Sequence, residues 1–183
     1  ITADTVGTVS PWNRRHYYPV RSTFFYESLR GLGINLLIGG GSMYPPIYRD
    51  PDKVERTRAG VERMVTLLNE PGAVVGIHPE GKRGKGPDPF ELLPAQPGVG
   101  QIAHQSQALV VPVWVRGLRN DFVEQVRGNF ARGDKRGEEV FVAFGAPVDL
   151  DDLRAKKGRL AVYKRIADRI MCSVRDLSQT DPQ

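Results

Sequence analysis

The segment PGAVVGIHPEGKRG occupies residues 71–84 and joins three kinds of local pattern. Its Pro-Gly pair ends the helical pattern before it, the compact apolar run 73–77 has the length of a buried strand, and the rest is a loop rich in glycine and charge. In folds that alternate strands with helices, ligands bind beyond the carboxyl ends of strands. The sequence therefore predicts a functional site in the loop after residue 77.

Helical patterns flank this strand. Upstream, Asp50 and Pro51 are typical of a helix start, and the pattern continues to about Asn69. The other predicted elements begin with a short helix from Ser22, its N-cap, to Gly31 or Gly33, a strand at 34–38, and a helix from about Val99 to Ser106 opened by Pro97 and Gly98. A buried strand at 108–115, a further strand at 138–144 and a closing helix at about 159–177, with Leu160 on its apolar side, complete the prediction. This alternation predicts an α/β fold with a mostly parallel central sheet covered by helices on both faces.

Length and composition limit the class of protein. A chain of 183 residues can bury one sizeable core, so we predict a single domain over residues 1–183 that begins with an irregular segment at 1–21. No run approaches the roughly 18–20 consecutive apolar residues of a membrane-spanning helix. The net charge of +5 suits an anionic partner such as a phosphate ester, a nucleic acid or an acidic membrane surface.

The single cysteine, Cys172, cannot form an internal disulfide. Its position among apolar residues of the closing helix predicts a small buried side chain. The absence of a cysteine pair indicates a protein of the cytoplasm, or of the cytoplasmic face of a membrane.

The loop after residue 77 carries side chains suited to an anion. Gly81 lets the backbone approach a ligand closely, Lys82 and Arg83 can hold phosphate oxygens, and Glu80 can orient those cations or a substrate hydroxyl. The alternative is a solvated basic turn that only caps a strand. Spacing alone does not choose between the two interpretations.

The same residues formally spell a nucleotide-binding P-loop, with Gly76, four residues, Gly81 and Lys82. The pattern fails at the next position, because Arg83 stands where a Ser or Thr would bind magnesium. The glycines and prolines of 84–89 also oppose the helix that would receive the phosphates. We therefore do not expect nucleotide hydrolysis.

The block Pro79-Glu80-Gly81-Lys82-Arg83 resembles the Pro-Glu-Gly-Thr-Arg motif of the 1-acylglycerol-3-phosphate acyltransferase family, with departures at His78, Lys82 and Gly84. Its surroundings follow the order of that family over roughly residues 22–178. The further matching segments are Tyr48-Arg49-Asp50, Pro97-Gly98, Val111-Pro112-Val113 and Phe144-Gly145-Ala146-Pro147-Val148. The resemblance implies a glycerolipid acyltransferase-like fold.

The resemblance also implies transfer of an acyl group from acyl-CoA or acyl carrier protein to a glycerol hydroxyl of a phosphate-bearing acceptor at a membrane surface. No cofactor or metal is expected, since the acyl carrier is a co-substrate. The implied substrate-binding residues are Arg49, Lys82 and Arg83 for the phosphate, Glu80 and Gly81 for the shape of the site, and Pro112 for the adjacent strand end.

The family's catalytic pair, a His followed four residues later by Asp, is missing. His16 is followed at that distance by Val20, His78 by Lys82 and His104 by Ala108. The family places this pair upstream of its Arg-bearing motif, which the segment Tyr48-Arg49-Asp50 resembles. We therefore expect the pair upstream of Ile1, in a longer chain. Within these residues, His78 and Glu80 are the candidates for a direct catalytic role.

Two other functions stay open. A non-catalytic domain that binds lipid phosphate or a membrane surface would use the same cations without acyl transfer. Nucleic acid is not an expected partner, because the basic loops lack the interleaved aromatic residues of a stacking platform. Trp114 and Phe90 lie near motif residues and are predicted to belong to the core rather than to an acyl path.

Overall fold

The structure, a computed structural model, describes residues 15–21, 28–38, 46–47, 54–82, 88, 90–117, 128, 130–131 and 140–181. These residues form a mixture of helices and short strands, which confirms the α/β class. In chain order the elements are β1 Arg15–Tyr17, β2 Val20–Arg21, α1 Leu29–Ile38, β3 Pro46–Ile47, α2 Val54–Leu68, β4 Ala73–Val75, α3 Pro97–Ser106, β5 Val113–Arg116, β6 Phe141–Phe144, α4 Asp151–Arg154 and α5 Leu160–Ser178.

The described strands pair in three two-stranded sheets. β1 runs parallel to β4, with Tyr17 opposite Val75, and β2 runs parallel to β3. β5 and β6 are antiparallel, with Trp114 opposite Ala143. Parallel pairing is thus present in two of these sheets, but a single, mostly parallel central sheet is not what the described residues form.

The chain divides into two compact units. One contains Ile1–Ile77 and Gln101–Ala108, and the other contains His78–Gly100 and Leu109–Gln183. Each has its own cluster of buried side chains. The single domain over residues 1–183 stays a prediction.

The core of the first unit forms around α2. Met64 and Leu67 are buried on this helix, and Ile102 of α3 completes the cluster. The flanking apolar side chains are Tyr17, Val61, Leu68, Val75 and Ile77. Val61, Met64 and Leu68 thus lie on the core side of this helix, whereas its predicted start at Asp50 and Pro51 lies outside the described residues.

The core of the second unit lies between β5 and α5. Trp114 is buried against Ala167, Met171 and Val174, and Phe90 packs on the same cluster, so the predicted core positions of both aromatic residues are confirmed. Each large apolar side chain removed from water here contributes about 1.5–3 kcal/mol. The closing helix was predicted at 159–177 and is found at Leu160–Ser178, although its first residue, Leu160, is 69% exposed rather than inward.

The apolar run 34–38 is helical, so the predicted strand there is wrong, as is the predicted helix end at Gly31 or Gly33. Ser28 acts as the cap of α1, because its Oγ accepts a hydrogen bond from the Gly31 N–H at 3.0 Å. A glycine inside a helix costs only about 1 kcal/mol, and a short apolar run has no period that separates helix from strand. Ser22, the predicted cap, lies outside the described residues.

Three further predictions are corrected. Within the segment 1–21 that was predicted to be irregular, residues 15–17 and 20–21 are strands that pair with strands more than 20 residues away, and residues 1–14 lie outside the described residues. The strand predicted at 108–115 is neither so long nor buried throughout. Pro112 has no N–H to donate to a neighbouring strand, so the strand begins at Val113 and ends at Arg116. The side chains of this strand are exposed at alternate positions.

Cys172 is exposed and not buried as predicted, because it lies on the outer face of α5.

Candidate functional site

The predicted site residues 78–81 form a tight turn. The Gly81 N–H donates a hydrogen bond to the His78 carbonyl oxygen at 3.1 Å. Gly81 has a φ of +66°, in the left-handed region, and a Cβ on this residue would lie 3.0 Å from the Cγ atom of Gln96. The backbone conformation therefore favours glycine here, and a larger residue would also require the Gln96 side chain to shift.

Two hydrogen bonds attach this turn to the segment 93–96. The Gln96 N–H donates to the Pro79 carbonyl oxygen at 2.8 Å. The Leu93 N–H donates to the Glu80 carboxylate, at 2.6 Å from Oε1, in a part-buried setting. A hydrogen bond to a charged group contributes about 1.5–3 kcal/mol to stability, so the Glu80 carboxylate helps to fix the conformation of the turn.

The segment 93–96 is itself anchored to the core of its unit. The Lys164 ammonium of α5 donates to the Ala95 carbonyl oxygen at 3.1 Å and pairs with Asp168 at 2.5 Å. Ala95 is buried in the core cluster, and Leu92 packs against that cluster. The turn therefore rests on a fixed base and not on a free loop.

The outer side of the turn is open to solvent. His78 and Lys82 are exposed, whereas Glu80 and Gly81 are partly buried. An exposed ammonium next to a rigid backbone is accessible to an anion. Two other predicted phosphate-binding residues, Arg49 and Arg83, lie outside the described residues.

The structure places Pro112 against the segment Gly145-Ala146-Pro147 of the last motif. Its carbonyl oxygen accepts a hydrogen bond from the Gly145 N–H at 2.9 Å, and a Cβ on Gly145 would lie 2.8 Å from the Pro112 Cγ atom. Pro112 lines a surface groove of about 620 Å³ with residues 145–149 and the face of α5 that carries Arg169 and Leu177. No residue of the turn 78–82 lines this groove.

Sequence reasoning found the two motifs at Pro112 and Gly145 but not their contact. Leu93 and Gln96 were not predicted as part of the site, because they hold the turn through backbone N–H groups and no side-chain pattern indicates such a contact. Among the described residues, no three His, Cys, Asp or Glu side chains are grouped as metal ligands. No helix in the described part of the chain is long and apolar enough to cross a bilayer.

Comparison with known proteins adds one match. The family model described as Acyltransferase matches residues 32–116. This span contains the turn 78–81, Pro112 and the two predicted phosphate-binding arginines, Arg49 and Arg83. No curated protein and no solved structure matches this chain. This match to an acyltransferase model agrees with the resemblance that the motifs of the chain show to the glycerolipid acyltransferases.

Proposed function

We propose that this chain belongs to an acyltransferase that moves a fatty acyl group from acyl-CoA or acyl carrier protein to a hydroxyl of a glycerol-phosphate or lysophospholipid acceptor. The observation that carries the proposal is that the family match includes the block 79–83, whose turn is fixed by three hydrogen bonds. Rigid presentation of a cation-bearing turn suits a site that must orient a phosphate-bearing substrate.

The proposed chemistry is a single acyl transfer. The acceptor hydroxyl oxygen attacks the thioester carbonyl carbon and loses its proton to a general base, and the carbon–sulfur bond breaks as the thiolate leaves and gains a proton. Lys82 and Arg83 hold the acceptor phosphate, with Arg49 as a third cation. Glu80 holds the turn that carries the first two.

The His-Asp pair that would supply the general base is absent from residues 1–183, because no histidine there has an aspartate four residues later. We propose that a longer protein supplies the pair. The proposal also places the enzyme at the cytoplasmic face of a membrane as a peripheral protein, where a net charge of +5 favours anionic lipid.

The test is to extend the reading frame upstream of Ile1 and to assay the longer protein for acyl transfer to lysophosphatidic acid and to glycerol-3-phosphate. Loss of a charge-assisted contact to phosphate weakens binding by about 1.5–3 kcal/mol, so we expect Arg83→Ala to lower kcat/KM by about 10–100-fold. Arg165→Ala, which removes an exposed arginine on α5, is the control and should change little. A longer protein that lacks the His-Asp pair and is inactive would rule out the enzyme.

One alternative is favoured by the missing pair, namely a lipid-phosphate binding domain without catalysis. It predicts binding to vesicles that contain phosphatidic acid, weakening with added salt and lost in a Lys82→Ala, Arg83→Ala double variant. Acyl transfer by the longer protein would exclude this alternative as the main function.

A further inference from the structure

A buried aspartate fastens the segment after α5 to strand β5. The Asp181 side chain is only 1% exposed and lies three residues beyond Ser178, the last residue of the helix. Its Oδ2 atom accepts a hydrogen bond from the Trp114 indole N–H at 3.0 Å. The Arg116 Nε atom is 2.6 Å from the same oxygen, but its N–H is not aligned for a hydrogen bond, so this contact is an ion pair.

This carboxylate is held at one oxygen only. Oδ1 of Asp181 is buried and has no hydrogen-bond partner among the described residues. A buried charge with an unpaired oxygen carries a desolvation cost. Replacing a buried ion pair by apolar side chains of similar volume often leaves the stability of a protein unchanged or raises it. A buried ion pair instead favours one arrangement of the groups that it joins, here Asp181 and strand β5.

The strand that Asp181 holds begins directly after Pro112, the predicted site residue. At that end of β5, Gly145 donates to the Pro112 carbonyl oxygen, and a Cβ on Gly145 would also lie within 3.6 Å of Leu177 Cδ2 on α5. Toward the other end, Asp181 contacts Trp114 and Arg116. The partners Gly145, Leu177 and Asp181 all lie beyond residue 116, where the family match ends.

We propose that Asp181 is a positioning residue of the acyltransferase site, which fixes the orientation of β5 and thereby of Pro112. Gly145, Leu177 and Asp181, which lie beyond residue 116 and contact Pro112 or β5, then support the acceptor site. This inference rests on the proposed function, because it assigns Pro112 to the acceptor site.

The first experiment needs no activity. Trp12→Phe leaves Trp114 as the single tryptophan, so its emission reports on the contact with Asp181. We expect Asp181→Ala to shift that emission to the red and to raise amide exchange in residues 113–116. Asp151→Ala, which removes an exposed aspartate of α4, is the matched control and should do neither. Unchanged emission and exchange in Asp181→Ala would overturn the proposal.

The second experiment uses the longer protein at a temperature where every variant is folded. We expect Asp181→Asn to raise the KM for the acceptor about tenfold with kcat changed less than about twofold, the pattern of lost binding rather than lost chemistry. Arg116→Gln should restore much of that loss in the double variant, because it removes the arginine left without its carboxylate. Asp151→Asn, at an exposed position outside the groove beside Pro112, should leave both constants unchanged.

The outcomes separate the two hypotheses. A lower melting temperature with unchanged KM makes Asp181 a structural residue only and overturns its positioning role. A longer protein without any acyl transfer overturns the proposed function, and with it the acceptor site, whereas the emission and exchange measurements still decide whether Asp181 holds β5.

Discussion

At Glu80 a single side chain has two competing interpretations. The sequence suggests a group that orients cations or substrate, whereas the structure shows its carboxylate accepting the Leu93 N–H at 2.6 Å. The Asp181 carboxylate similarly accepts a hydrogen bond from the Trp114 indole N–H of β5. In both places a carboxylate bonds to a donor far away in the sequence, so its role follows from the partner and not from the residue type.

The two interpretations of Glu80 predict different variants. Glu80→Ala removes the acceptor and should lower the free energy of unfolding by about 1–3 kcal/mol, because the part-buried Leu93 N–H loses its partner. Glu80→Gln keeps an oxygen in the same place and should retain most of that stability and, in the longer protein, most of the activity. Urea unfolding and the acyl transfer assay measure the two quantities.

Glu91→Ala, an exposed glutamate two residues before Leu93, serves as the control for the unfolding measurement. If Glu80→Gln unfolds like the parent but loses acyl transfer, the carboxylate acts on substrate, and the positioning role assigned to Glu80 is wrong.

At the scale of elements, the first turn of α3 packs closely on α5. A Cβ on Gly100 would collide with the backbone carbonyl group of Tyr163, whereas a Cβ on Gly98 would meet no atom within 4 Å. The two glycines are two residues apart in one helix and differ only in what faces them. Close contact of the two backbones is thus specified at one position.

These two glycines form a matched pair of variants. Gly100→Ala should destabilise the protein by about 3 kcal/mol or more, because backbone atoms cannot move aside as a flexible side chain can. Gly98→Ala should be neutral or stabilise the protein by up to about 1 kcal/mol, since alanine reduces the entropy of the unfolded chain. Equal midpoints of urea unfolding for the two variants would show that the helices do not approach this closely.

The short helix α4 is tied to α5 by an exposed ion pair with a pH dependence. The Arg169 guanidinium binds both carboxylate oxygens of Asp152 and the Asp149 carbonyl oxygen. This hydrogen bonding holds the pKa of Asp152 below its usual value and raises the pKa of Arg169. Because the folded-state pKa is the lower one, the stabilisation from Asp152 is present above its unfolded pKa of about 3.9 and is lost as the pH falls through the folded value.

We therefore expect Asp152→Asn to lower the melting temperature at pH 7 by a small amount, as is usual for exposed pairs. The difference from the parent should shrink below about pH 4 and vanish when the parent's carboxyl group is protonated. Asp151→Asn, the neighbouring exposed aspartate, is the control in the same series of thermal scans. A difference that grows as the pH falls would contradict this assignment.

At the scale of the whole molecule, the family match ends inside a packed core and not at its edge. The match ends at residue 116, but the core around Trp114 is built largely from α5, at residues 160–178. The groove beside Pro112 is likewise lined mainly by residues beyond the match. The packing of the matched region in the second unit thus depends on the remainder of the chain.

Most helices and the motif turn were predictable from local pattern. The end of α2 and the extents of α3 and α5 follow from apolar periodicity and from Pro-Gly breaks, and a loop after residue 77 follows from its glycines and charges, whereas the positive φ of Gly81 is seen only in the structure. The block 79–83, with the motifs around it, was sufficient to indicate the acyltransferase family. These features depend on neighbours a few residues apart, which is the range over which the order of amino acids specifies structure directly.

The long-range partners could not be predicted in this way. The pairing of residues 15–17 with 73–75, the bond from Leu93 to Glu80 and the bond from Trp114 to Asp181 join groups that are 13 to 67 residues apart. No periodicity marks a single backbone N–H or a single buried carboxylate as a partner. Sequence was therefore enough for the resemblance to an acyltransferase family and for the residues that carry charge, whereas which of these residues hold the site in place depends on contacts that exist only once the chain has packed.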